Sequence, residues 1–143
     1  MIYFDHVSKR YNAQSLALDD VTLTFEPKEF ISVVGHAGAG KTTLLKMILA
    51  EETPTSGAVF FESQNVHDIP RSTLHTLRRK IGTVFQDFKL LPNKTAFENI
   101  AFAMEAAGRT DDEIAADVPH VLELIDMTEK AWNFPKELSG GER

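Results

Sequence analysis

The 143 residues carry 15 Lys and Arg against 21 Asp and Glu, a formal net charge of −6, and no Cys. That acidic balance argues against a nucleic-acid partner, which needs a basic face. The lack of Cys excludes disulfides, zinc–thiolate sites and thiol nucleophiles, and fits a reducing compartment. A 43% hydrophobic and 25% charged composition is that of a folded domain. No apolar run approaches the ~18 residues of a membrane span, and Met1 to Asp5 lacks the layout of a signal peptide. The expected location is the cytoplasm, with any membrane link made through a partner. The five His residues show no zinc-binding spacing.

Along the chain, Ile2, Phe4 and Val7 fall near period two, as do Val21, Leu23 and Phe25. Both read as half-buried antiparallel strands. Phe30 to Val34 is a continuous apolar, β-branched run and reads as a fully buried strand. It enters a glycine-rich turn, Gly35 to Gly40, and a helix is expected from Lys41 with Leu44, Leu45, Ile48 and Leu49 as its apolar stripe. Thr53 to Gly57 is a turn, and Val59 to Phe61 another strand. Pro70 suits the first position of a helix through Arg79, and Ile81 to Phe85 reads as a second buried strand. Arg78, Arg79 and Lys80 read as a solvated cationic helix end.

Thr95-Ala96-Phe97-Glu98 has the spacing of a capping box, with its helix ending near Gly108. Thr110 to Glu113 repeats the signal, and Pro119 is expected to break or kink the second helix before Ile125. Strands early, helices late and a strand–loop–helix unit between them indicate an α/β or α+β fold.

Gly35-His36-Ala37-Gly38-Ala39-Gly40-Lys41-Thr42 fits G-x-x-x-x-G-K-[ST]. Glycines let the backbone curl close to a ligand. The curled N–H groups form an anion nest, and the following helix adds the positive end of its dipole. Lys41 is placed to reach the β- and γ-phosphates of ATP, or the β-phosphate of ADP, and the Thr42 hydroxyl to coordinate Mg²⁺. Thr43 extends the loop.

Leu138-Ser139-Gly140-Gly141-Glu142 resembles the signature motif of ABC-type ATPases, with Arg143 where Gln is common. It combines small residues with a Ser cap, a second potential anion site. Val84-Phe85-Gln86-Asp87 is similar to the Q-loop of that family, which implies that Gln86 touches Mg²⁺ or the attacking water. Tyr11 stands where the family carries an adenine-stacking aromatic. Within the family, Phe85 to Pro92, Thr95 and Phe97 to Glu105, with Ile2 to Tyr11, resemble the cell-division branch, the FtsE family. The likeness covers the whole chain. His36-Ala37 replaces the usual Pro-Ser of the loop.

The resemblance implies a P-loop ABC nucleotide-binding domain with an antiparallel β layer and a helical subdomain. Its β layer and P-loop core would occupy 1–94, and its helical subdomain 95–143 up to the signature motif. It also implies a homodimer closed over nucleotide. Ser139, Gly140, Gly141 and Glu142 would then serve the partner's ATP, and the dimer would sit on the cytoplasmic face of the plasma membrane through a subunit similar to FtsX. Phe88, Leu90 and Leu91 would either line the groove for that subunit or pack in the core. The family's Walker B strand, its catalytic Glu and its H-loop His have no counterpart among the 143 residues. The domain is therefore expected to be truncated, to expose an unpaired strand edge, and to bind nucleotide with negligible turnover. Three other readings stay open: the ATPase of a lipoprotein-release or MacB-like transporter, a nucleotide-responsive interaction module without catalysis, and a P-loop kinase for a small molecule.

Overall fold

The computed structural model describes all residues from Met1 to Arg143. They form two compact units, Met1–Gly82 and Thr83–Arg143.

The first unit is built on a four-stranded sheet in the order β2-β1-β3-β4. Strand β1 is Ile2–Asn12, β2 Ser15–Phe25, β3 Ser56–Phe61 and β4 Gln64–Asn65. Every neighbouring pair is antiparallel, with Phe4 opposite Leu23 on one side and Val59 on the other. Period-two side chains from β1 and β3 meet α1 (Lys41–Ile48) in a core of Phe4, Val7, Val59, Leu44, Met47 and Ile48. Phe25 adds an edge-on contact to Phe4 at 6.1 Å between ring centres. Met47 is fully buried while Leu45 is 58% exposed, so the helix stripe is rotated from the one the sequence suggests.

Two expected strands do not form. Phe30 to Val34 and Ile81 to Phe85 have irregular backbone, and Phe30, Val34 and Val84 are 98%, 87% and 96% exposed. A buried parallel strand needs a ladder on both sides and a layer on each face. The four strands of this chain pair among themselves, and neither segment joins them. The open strand edge expected at Phe30–Val34 is thus replaced by irregular chain. Helix α2 is also shorter than expected, Leu74–Arg78. Pro70 instead opens a turn, its carbonyl accepting from the Thr73 N–H at 2.9 Å. Arg78 is exposed at the end of α2, as expected. Its Nε donates to the Leu49 carbonyl at 3.0 Å and so satisfies the end of α1.

The second unit packs α3 (Ala96–Ala106) against α4 (Asp111–Leu124) around Ile114, Val118, Leu122, Met127, Ala131 and Leu138. Both helices begin with complete capping boxes, Thr95 with Glu98 and Thr110 with Glu113. At α3 all four leading N–H groups find acceptors. Ala96 and Phe97 donate to the Asn133 and Ala131 carbonyls, Glu98 to the Thr95 hydroxyl and Asn99 to the Thr95 carbonyl. Gly108 takes φ +85° just past the end of α3. Helix α4 runs through Pro119 without a break. Val118 and Leu122 on either side of it are buried, and that packing outweighs the lost backbone hydrogen bond.

Candidate functional site

The glycine-rich loop wraps the N-terminus of α1, where Gly40 is the cap residue with φ +83°. A Cβ on Gly40 would lie 2.2 Å from the Ala17 carbonyl oxygen, so glycine is required for the loop to lie against β2. Lys41 Nζ reaches back across the loop and donates to the Gly35 and His36 carbonyls, both at 2.8 Å. Ala39 N–H closes the turn onto the His36 carbonyl at 3.2 Å, and His36 Nδ1 donates to the Ala37 carbonyl at 2.7 Å.

Beside this loop is an open hollow of about 230 Å³. Tyr11 and Gly38 to Thr43 line it, with Ser15, Leu16 and Ala17 from β2. Gly35, His36 and Ala37 belong to the loop but not to the lining. The contribution of Ser15 to Ala17 escapes the sequence, because it depends on the approach of Gly40 to Ala17. The Tyr11 hydroxyl lies 3.3 Å from Thr43 Oγ1, tying the end of β1 to the first turn of α1. No acidic residue stands in that first turn. Its free N–H groups, the Lys41 ammonium and the exposed Thr42 hydroxyl suit a polyphosphate with a hard divalent cation.

Lys9 borders the same wall. Its Nζ donates to the Thr53 carbonyl at 2.7 Å, pairs with Glu52 Oε2 at 2.9 Å and lies 5.0 Å from the centre of the Tyr11 ring. The hydrogen bond from Lys9 holds the Glu52 carboxyl below its ordinary range, against a smaller opposing effect of burial.

Gln86 and the signature-like segment lie in the second unit. Gln86 is exposed on a turn, followed by Phe88 and Lys89 at positive φ. Leu90 and Leu91 are half-buried. Asn99 of α3 bonds both backbone groups of Leu91, at 2.8 Å and 3.2 Å, a clamp with no sequence signal. Ser139, Gly140 and Gly141 are exposed in a single turn, with the Glu142 and Arg143 N–H groups donating to the Ser139 carbonyl. Glu142 accepts from Ser139 N–H at 2.8 Å and forms a short ion pair with Lys130.

The Lys130 ammonium, followed by the Ser139 hydrogen bonds, draws the Glu142 pKa down to about 2. A carboxylate depressed on folding stabilises the turn above its ordinary pKa near 4.5, and that stabilisation is lost as pH falls through about 2. Carboxyl-carbon NMR should show Glu142 charged throughout pH 3 to 5. Titration near pH 4.5 would show that the pair does not form in solution.

The ABC transporter family pattern matches residues 18–143. The chain belongs to the ABC transporter family. It is 46% identical over its whole length to the cell division ATP-binding protein FtsE of Bacillus subtilis and 44% identical to that of Mycobacterium tuberculosis, covering 63% of each. It is 39% identical over 132 residues to the methionine import ATP-binding protein MetN of Corynebacterium efficiens, covering 37% of it. Among solved structures it resembles the ATP-binding cassette MJ0796 in a dimeric post-hydrolysis state bound to ADP and Pi. That likeness has a TM-score of 0.88 and 31% identity, covering 99% of this chain and 65% of the other. The chain thus spans 63% of the length of these FtsE relatives and 37% of the MetN relative. The fold is that of an ABC cassette over the span described.

Proposed function

We propose that this chain is the nucleotide-binding portion of an ATP-hydrolysing subunit of the FtsE type. In that role ATP binding and hydrolysis drive a membrane partner similar to FtsX during bacterial cell division. The observation that carries the nucleotide reading is the hollow bounded by Tyr11, Gly38–Gly40 and the first turn of α1. It offers an aromatic face at one end and the lysine, hydroxyl and N–H groups of a helix N-terminus at the other. Gly38 to Thr43 would hold the phosphates of ATP or ADP, Thr42 the Mg²⁺, and Tyr11 the base. Bound Mg²⁺ would neutralise phosphate charge.

The FtsE relatives match the whole chain at 41–46% identity, which favours the cell-division reading over a transport subunit such as MetN. The dimeric MJ0796 cassettes support a nucleotide-closed homodimer, with Ser139 to Glu142 capping the γ-phosphate held by the partner copy. No helix is long and apolar enough to cross a membrane.

Orienting the attacking water requires a residue aimed at it, and on this reading the family's catalytic Glu has no counterpart among the 143 residues. We expect titration calorimetry to detect ATP binding by this chain, and a phosphate-release assay on the same sample to give turnover at background. Turnover at the level of an intact family member would overturn the second expectation, and the absence of any binding would overturn the proposed function.

A further inference from the structure

Behind Tyr11, one of the residues lining the hollow, stands a lysine that none of the motifs includes. Lys9 lies two residues before Tyr11 near the end of β1, where the register with β2 is irregular, and its Nζ comes to 5.0 Å from the centre of the Tyr11 ring. Its side chain is only 14% exposed, unusual burial for a lysine at the end of a surface strand. The ammonium spends its bonding capacity on three partners: the Thr53 carbonyl, the Glu52 carboxylate and the face of the Tyr11 ring. Glu52 is itself fixed. Its backbone carbonyl accepts from His67 Nε2 at 2.8 Å, and the remaining ring nitrogen of His67 is buried without a partner. That leaves His67 committed to the Glu52 backbone. At the other edge of the ring, the Tyr11 hydroxyl meets Thr43 of α1. The ring is therefore gripped from below by a cation whose position is set by the turn after α1, and at its rim by the helix that carries the phosphate loop.

We propose that Lys9, held by Glu52, is a positioning residue for base recognition: it locks the Tyr11 ring so that its free face is presented to a purine base. This rests on the nucleotide reading of the hollow and adds a determinant for the base alone. A cation on one face draws electron density from the ring, and the opposite face then stacks better on an electron-rich purine. The same contact removes the rotational freedom the ring would otherwise lose on binding.

The test compares two ligands on the 143-residue chain: ATP, which carries the base, and inorganic tripolyphosphate, which does not. Lys9→Met keeps the packing of the stem and removes the cation. It should weaken ATP about fivefold, the worth of one partly exposed cation–aromatic contact, and leave tripolyphosphate within about twofold. Glu52→Gln, which frees the ammonium, should shift the same ratio in the same direction, and Lys9→Arg should restore it. The ratio is taken within each variant, so a general loss of stability moves both ligands and cancels. Equal weakening of ATP and tripolyphosphate would show that Lys9 only supports the fold, and unchanged affinity for both would show that it does not orient Tyr11. Either result overturns the proposal. Failure of the unsubstituted chain to bind tripolyphosphate at all would instead count against the phosphate loop, a separate outcome.

Discussion

Lys41→Ala should lower the affinity for ATP about a hundredfold with little change in the stability of the ligand-free chain. The expectation follows from where the ammonium sits and what it touches. Nζ bridges the Gly35 and His36 carbonyls across the mouth of the loop, 2.8 Å from each. Those carbonyls are exposed, so water replaces the lysine once it is gone. Lys41 also opens α1, where a cation opposes the helix dipole and alanine is the better helix former. The two effects on the free chain have opposite signs. With a polyphosphate in the hollow there is no such cancellation, because the lysine is the charge placed to meet it. Charge-assisted hydrogen bonds are worth about 1.5–3 kcal/mol each, and about 2.7 kcal/mol is a hundredfold. Calorimetric titration gives the affinity and a thermal melt without ligand gives the control. Unchanged ATP affinity would remove the phosphate-loop assignment.

What could be read from the sequence divides by the range of the interaction. Both capping boxes are contiguous four-residue patterns, and Thr95 and Thr110 form them as expected. The loop from Gly35 to Thr42 is equally local, so its curl around α1 was legible. The antiparallel β layer followed from period-two hydrophobicity, because each strand carries its own half-buried face. Phe30–Val34 and Ile81–Phe85 failed for the complementary reason. A continuous apolar run says that a segment can be buried, but which strands bury it is a property of other residues. In this chain none pair with it. Pro119 was read by its local penalty alone, whereas the buried side chains at 114, 118 and 122 hold α4 together across it.

The contacts that organise the candidate site beyond its motif are all long-range. Lys9 meets Glu52 across 43 positions, Tyr11 meets Thr43 across 32, and Arg78 meets Leu49 across 29. No spacing rule connects such pairs, and Lys9 and Glu52 taken singly read as ordinary surface side chains. Arg78 is the expected cation at the C-terminus of its own helix, and the fold adds a second role at the end of α1 that no local pattern announces. The signature-like turn lies between these cases. Its small residues and Ser were visible, while the pairing of Glu142 with Lys130 required the fold.

Gly40 and Gly38 separate the two demands that a phosphate loop makes on glycine. Both take positive φ, +83° and +80°. An alanine at either position must adopt a left-handed backbone, which costs about 1 kcal/mol. Around Gly38 a Cβ would meet nothing within 4 Å, so Gly38→Ala should cost little more than that and keep most of the ATP affinity. At Gly40 the Cβ would fall 2.2 Å from the Ala17 carbonyl oxygen and 3.1 Å from a Leu18 methyl. Backbone cannot turn aside as a flexible side chain does, so either β2 or the loop must move. Adding the strain of overpacking brings the expected cost of Gly40→Ala to about 3 kcal/mol. Urea unfolding followed by circular dichroism should resolve the two variants. The larger consequence is for binding. Gly40 is the cap of α1, and moving it tilts the first-turn N–H groups away from the hollow shared with Ala17. Gly40→Ala should therefore lose ATP binding in the fraction that remains folded, while Gly38→Ala retains it. Equal losses at the two positions would mean that backbone conformation alone, and not the close approach to β2, is what the loop requires.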